Sequence, residues 1–144
     1  MATQIKVRGY HIDVFQHVNN ARYLEFYESD SWAWLDRQHF HDWVRKRKFA
    51  MVVVNINVNY YRGAIIGDEL TIASRVEKIN AKNFKCYQQI TRERQGKKEM
   101  ISDALMKFVF IDVVLNKAVV IDGELLEKIE QLEQISKNDA NEFI

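Results

Sequence analysis

Just ahead of an apolar helical pattern the chain reads Tyr10-His11-Ile12-Asp13-Val14-Phe15-Gln16-His17-Val18-Asn19-Asn20-Ala21-Arg22-Tyr23. A carboxylate, Asp13, therefore stands a few residues before a helix start. The first helical N–H groups have no intrahelical partner, and the helix dipole places partial positive charge there. Fixed donors of this kind stabilise a carbonyl oxygen as it becomes an oxyanion. A carboxylate beside them can act as a nucleophile or as a general base on water. Asp13 and the helix start thus hold the parts of a hydrolytic site that requires neither metal nor cofactor.

Each of these residues also has a plainer reading. Asp13 suits an Asx-turn or a cap, and His17 suits a loop histidine packed against a sheet. His11, Asp13 and His17 could in principle face a metal. No fourth ligand lies nearby, however, and the spacing fits no standard site, so no metal is expected. Glu28 lies off the polar stripe of its helix and needs a buried partner or an interface; a structural hydrogen bond satisfies it. Trp32 and Trp34 read as core or pocket wall rather than as a platform for stacked bases.

The elements that must position these groups follow from periodicity. Residues 4–9 read as a short strand. From Ala21 to about Asp36, Arg22, Glu25, Ser29 and Asp36 mark one narrow polar stripe. Tyr23, Leu24, Phe26, Tyr27, Trp32, Ala33, Trp34 and Leu35 fill the rest, which predicts a mostly buried helix capped by Asn19 or Asn20. A second short helix is expected over 39–47. Period-two alternation then takes over: Val54, Ile56, Val58 and Tyr60 against Asn55, Asn57 and Asn59. Leu70, Ile72 and Val76 mark a further strand, as do Phe84, Cys86 and Ile90, which end at the turn Arg94-Gln95-Gly96. Residues 100–114 form a long apolar strand followed by a turn at Asn116-Lys117. Asp122 is placed to cap a last helix with Leu125, Ile129, Leu132 and Ile135 on one face, and the tail from Lys137 is expected to fray. Consecutive strands with clustered helices predict an α+β fold with an antiparallel sheet of about five strands wrapped round one long buried helix.

The 144 residues suit a single domain, 1–144, with no repeat or linker. An apolar fraction of 47% and a charged fraction of 28% are those of a globular protein. With 21 basic against 20 acidic residues, overall charge offers no case for nucleic acid or an anionic membrane as the main partner, although a local basic patch could bind a small anion. The lone cysteine, Cys86, falls in an alternating apolar run and reads as a buried, inert thiol in a reducing compartment. The N-terminus lacks a signal-peptide layout, and no apolar stretch approaches the roughly 20 residues that span a bilayer. A cytoplasmic protein without membrane insertion is expected.

The segment from Tyr10 to Leu24 resembles the hotdog-fold acyl-CoA thioesterases of the 4-hydroxybenzoyl-CoA type. It carries an aromatic residue (Tyr10), Asp13, His17-Val18-Asn19-Asn20 and the helix start Ala21-Arg22-Tyr23-Leu24. It looks particularly like the bacterial long-chain acyl-CoA thioesterase III subgroup. The resemblance extends to VVVNINVNYYR, to Asp68-Glu69-Leu70-Thr71 and to DALMKFVFID, and it covers about Ile5 to Ile129. It implies a hotdog fold and hydrolysis of a medium- to long-chain acyl-CoA, with Asp13 as the catalytic carboxylate. The amides around Asn19, Asn20 and Ala21 would polarise the thioester carbonyl, His17 would shape the site or position water, and Asn20 would be a polar contact. Arg62 and Lys82 are candidates for CoA phosphates.

The resemblance also implies a homodimer or homotetramer, built by edge pairing of the Asn-rich strand 52–60, with active sites at the interface. The acyl chain would lie between helix and sheet, its reach set by residues such as Phe26, Trp34 and Phe40. Two departures stand out. Gln16 replaces a common glycine and is expected to re-aim the loop. Gly63 replaces a common proline and is expected to loosen a connection without touching the chemistry. A hotdog protein that binds acyl-CoA without turnover is the alternative from another class. An enoyl-CoA hydratase would want an Asp–His pair in a differently spaced motif, and none is present.

Overall fold

The computed structural model describes residues 2–144. Its strands are β1 (Thr3–Lys6), β2 (Phe49–Tyr60), β3 (Glu69–Ile79), β4 (Phe84–Arg94), β5 (Lys97–Asp112) and β6 (Lys117–Ala118). Its helices are α1 (Asn20–Arg37), α2 (Phe40–Lys46) and α3 (Gly123–Asn138), with single 3-10 turns at Gly9–His11 and Ala140–Glu142. All strand pairs are antiparallel, in the order β1-β3-β4-β5-β2, and β6 pairs with the end of β5. The expected α+β architecture with α1 packed on the curled sheet is what forms. β2 and β3 follow one another in sequence but lie apart with β4 and β5 between them, so the segment 61–68 must cross from one edge region to the other.

Period two decides which face meets α1. Ile72, Val76, Cys86, Gln88, Ile90, Ser102, Ala104, Met106, Phe108 and Phe110 are all buried on that face. On α1, residues 23, 26, 27, 30, 31, 34 and 35 are buried at helical spacing. Leu24 and Trp32, grouped with the buried positions from sequence, stay exposed at 39% and 45%. Together with Glu28 they form a second stripe, one helical turn apart, beside β2.

Most polar groups inside the core are joined, and among the described residues the Gln88 carbonyl oxygen is the buried side-chain atom left without a hydrogen-bond partner. The Asp30 carboxylate accepts from Thr3 N (3.1 Å), Thr3 Oγ1 (2.7 Å) and the Ser74 hydroxyl. The Gln88 amide donates to Ser74 Oγ, Ser31 Oγ and Tyr27 O, and the Tyr27 and Ser102 hydroxyls lie 2.6 Å apart. Burial pushes the Asp30 carboxyl above the usual carboxylate range, while the Ser74 and Thr3 hydrogen bonds work the other way. Cys86 is fully buried, and burial pushes its thiol up, which fits an inert residue.

Several boundaries moved for local reasons. The last long strand stops at Asp112 rather than 114, because Asp112 Oδ1 accepts from Val114 N and Leu115 N and bends the chain. Asn116, at φ 53°, makes the turn, and Lys117 already belongs to β6. Asp122 sits at the N-cap of α3, but its side chain accepts no capping hydrogen bond. The buried face of α3 is Leu125, Ile129, Leu132 and Ser136, with Ile135 only half-buried. The tail does not fray. Ile144 N donates to Gln89 Oε1, and Arg75 lies between the Tyr87 and Phe143 rings at 4.5 and 4.8 Å.

Candidate active site

The loop before α1 is a tight hairpin closed by a bridge between Ile12 and Val18. Asp13 N donates to His17 O, and Gln16 N returns a bond to Asp13 O, both at 3.0 Å. Gln16 stands at φ 66°, in the left-handed region. Glycine takes that conformation without a Cβ penalty, and glutamine takes it at a cost of about 1 kcal/mol. Asp13 is half-buried, and its Oδ1 accepts from Phe15 N at 2.9 Å. The Asx-turn reading of Asp13 is therefore correct as geometry. It orients the carboxylate and leaves Oδ2 without a partner among the described residues.

At the helix start, Asn19 is the N-cap, and its Oδ1 accepts from Ala21 N at 2.9 Å. Asn19 N donates to His11 O at 2.9 Å, and Arg22 N donates to Asn19 O. Two of the three amides expected to polarise a carbonyl, those of Asn19 and Ala21, are thus already engaged inside the protein. Asn20 N–H is the one left without an acceptor among the described residues.

This helix start borders a cleft of about 290 Å³ lined by His17, Val18, Asn20, Tyr23, Tyr60, Tyr61, Arg62 and Gly63. Of the expected site residues, the structure brings His17, Asn20 and Arg62 together there. Asp13 is not among the lining residues, though His17 lies across its own hairpin turn. Lys82 is exposed in the β3–β4 turn. That turn adjoins Phe84, paired with Phe108, whereas Tyr60 pairs with Ser102. Six residues along β5 separate the two ends, roughly 20 Å. Within one chain Arg62 and Lys82 cannot hold the same phosphate.

Gly63 does touch the site. A Cβ there would lie 2.7 Å from His17 Cδ2, so the missing side chain is the space the imidazole occupies. The carbonyl of Gly63 accepts from the buried Arg92 guanidinium (3.2 Å), which also bonds Asp68 Oδ2 (2.7 Å) and Glu99 Oε2 (2.8 Å). Burial works against the charge of Arg92. Its bonds to Asp68 and Glu99 outweigh this and hold it above its ordinary value, and Arg92 in turn draws the Glu99 carboxyl down. Sequence reasoning missed Arg92, Tyr60 and Tyr61. The available signal was register: Arg92 continues the inward series Cys86, Gln88, Ile90, where a charge demands partners.

A second hollow, about 260 Å³ and mainly apolar, runs beside α1 between Leu24, Glu28, Ser31, Trp32 and Leu35 on one side and Met51, Val53, Ile56, Met106 and Phe108 on the other, with His41 at its margin. Phe26, Trp34 and Phe40, expected to set its reach, are instead buried in the core. Glu28 is exposed along this groove and accepts from Trp32 Nε1 at 3.3 Å. No group of three or more His, Cys, Asp or Glu among the described residues could hold a metal.

His11 is structural. Its Nδ1 accepts from Arg8 N at 2.8 Å, and its ring meets Phe26 edge-on. Burial, then Arg22, hold its pKa below the ordinary 6.5, with Glu25 opposing. Below pH 6.5 the unfolded chain therefore binds more protons than the folded one, so stability present above 6.5 is lost as pH falls through the folded pKa. The urea midpoint is expected to fall between about pH 7 and pH 5, and to fall less in His11→Asn, which keeps an acceptor for Arg8 N; equal slopes would refute this. Gly63→Ala is expected to displace the exposed His17 ring, visible as shifted imidazole NMR resonances. The cost in stability should stay below about 1 kcal/mol; an unmoved ring would contradict the packing described.

Comparison with known proteins identifies the family and the fold. Residues 7–129 match the family profile described as the thioesterase-like superfamily. The chain is 50% identical over 132 residues to the long-chain acyl-CoA thioesterase FadM of Escherichia coli strain K12, covering 92% of this chain and 98% of that protein. The crystal structure of YbaW, a probable thioesterase from Escherichia coli, superposes with a TM-score of 0.86 at 50% identity, over 92% of this chain and 98% of that one. A 4-hydroxybenzoyl CoA thioesterase mutant complexed with 4-hydroxybenzoyl CoA shares the hotdog fold at a TM-score of 0.78 and 17% identity, over 90% and 97% of the two chains. This chain belongs to the thioesterase-like superfamily.

Proposed function

We propose that this protein hydrolyses medium- to long-chain acyl-CoA to free fatty acid and CoA. One observation carries the reading: half of the positions over nearly the whole chain are identical to those of a long-chain acyl-CoA thioesterase. Asn20, His17 and Arg62 border one cleft, which supports that chemistry, while Asp13 stands outside that lining on the adjoining hairpin. The thioester carbonyl oxygen accepts from Asn20 N–H, the unengaged amide at the positive end of α1. Asp13 then supplies the carboxylate. As a base it takes a proton from water while the water oxygen bonds the carbonyl carbon. The oxyanion collapses, the C–S bond breaks, and the thiolate leaves and is protonated. As a nucleophile, Asp13 itself bonds the carbonyl carbon and expels the thiolate, and water then cleaves the anhydride. His17 positions water, Arg62 faces the CoA phosphates, and Asn19 and Ala21 hold the donor in place through the cap.

The acyl chain lies in the apolar groove beside α1. From Leu24 to Leu35 the helix rises roughly 16 Å, the length of a chain of about a dozen carbons. β2 is an edge strand with Val52, Val53, Val54 and Ile56 exposed. A dimer or tetramer that pairs this edge covers both its backbone and these side chains, and places each site near the interface. No helix among the described residues is long and apolar enough to cross a membrane, and the protein is proposed to act in the cytoplasm.

Pure protein is expected to release thiol from palmitoyl-CoA, and Asp13→Asn to lower turnover by roughly 10²-fold or more with an unchanged unfolding midpoint. Near-wild-type turnover in the folded variant would refute the role of Asp13. Absence of release across chain lengths, with saturable binding, would leave a non-catalytic acyl-CoA binder. In ¹⁸O-water, repeated turnover labels the Asp13 carboxylate in the nucleophilic route when water attacks Cγ of the anhydride, whereas the base route puts the label in the fatty acid alone.

A further inference from the structure

The turn between β5 and β6 exposes three consecutive aliphatic side chains, Val113 (56%), Val114 (67%) and Leu115 (65%). This exposed run takes no part in the hydrophobic core of the chain, and in a turn it points to a function. The turn is built rather than loose. Asp112 Oδ1 accepts from Val114 N at 2.9 Å and Leu115 N at 3.0 Å, and Asn116 at φ 53° returns the chain to β6. Val113 N donates to Lys48 O at 3.0 Å. That bond ties the aliphatic tip to the junction of α2 and β2, where Arg45-Lys46-Arg47-Lys48 are all exposed. Lys117 adds a further cation on the other side of the tip.

The carboxylates at this corner are few and engaged. Asp42 pairs with Arg45 at 3.0 Å, Glu124 pairs with Arg47, and Asp112 accepts from the turn amides. Lys46, Lys48 and Lys117 have no ion pair among the described residues. The corner is therefore locally basic in a chain of net charge +1. Screening confines electrostatic attraction to about 10 Å, so the local balance decides what it attracts.

We propose that this corner docks the protein peripherally on a bilayer bearing anionic phospholipid headgroups. The aliphatic tip enters the headgroup boundary while Lys46, Lys48 and Lys117 meet the phosphates. A soluble anion needs the cations but gives no reason for the aliphatic tip. A protein partner has no complementary feature here beyond the small tip. Docking leaves the catalytic cleft free. Phe49 pairs with Asp112 at this end and Tyr60 pairs with Ser102 at the other, eleven residues along β2, or roughly 36 Å.

The test is sedimentation of the full chain with extruded vesicles of phosphatidylcholine with or without phosphatidylglycerol. Wild-type protein is expected to sediment with the anionic vesicles, to remain in solution with pure phosphatidylcholine, and to be released by about 0.5 M salt. Val114→Ser/Leu115→Ser and Lys46→Glu/Lys48→Glu are each expected to weaken binding roughly tenfold or more, with unchanged thiol release from a short, soluble acyl-CoA. A wild type that stays in solution with anionic vesicles would overturn the proposal. So would a tip variant that binds as tightly as wild type, which would mean adsorption by charge alone. Equal binding to neutral vesicles would likewise overturn it.

Discussion

The start of α1 is held from three sides, and the rest of the site depends on that clamp. Val18 N donates to Ala64 O at 2.9 Å, which joins the Asp13 hairpin to the crossing segment after β2. Tyr60 Oη donates to Asn20 O at 3.1 Å, and Ala64 N meets Tyr23 Oη. Arg92, buried and paired with Asp68 and Glu99, holds the Gly63 carbonyl from below. A buried guanidinium is costly unless its donors are satisfied, and here its satisfaction fixes the one irregular segment that borders the cleft. The crossing segment exists because β2 and β3 are not sheet neighbours. The sheet order itself thus places a loop against the helix start.

The polar network under α1 fixes how the helix lies on the sheet. Asp30 reaches Thr3 on β1 and Ser74 on β3, while Gln88 on β4 donates to Tyr27 O and Ser31. Apolar packing alone tolerates sliding; directional bonds to three strands do not. With α1 so fixed, its exposed stripe of Leu24, Glu28 and Trp32 must run beside β2, where it forms the apolar groove.

Much of this was legible in the chain. Alternation and helical spacing located all three helices and the long strands, because half-buried elements write their faces into the sequence. The resemblance at Tyr10–Leu24 identified the fold and family that comparison bears out. What was not legible was tertiary. Leu24 and Trp32 are as apolar as their buried neighbours, and only the position of β2 leaves them exposed. The docking of Phe143 on Tyr87 and the separation of Lys82 from Arg62 follow from sheet order, which local pattern does not encode. Asn19 and Ala21 looked like carbonyl donors, yet the Asn19 amide donates to His11 O and the cap engages that of Ala21.

With those two amides engaged, Asn20 N–H is, among the described residues, the free donor at the helix start on which the proposed chemistry rests. The central claim is that Asn20 N–H, at the uncapped position of the α1 start, is what polarises the thioester carbonyl. The most direct measurement is ¹H–¹⁵N NMR of folded Asp13→Asn titrated with a long-chain acyl-CoA it binds but does not cleave. The account predicts that the Asn20 amide proton moves downfield on binding by more than those of Asn19 and Ala21, which stay in their internal hydrogen bonds. A stationary Asn20 amide in the saturated complex, with Ala21 or Asn19 shifting instead, would contradict it.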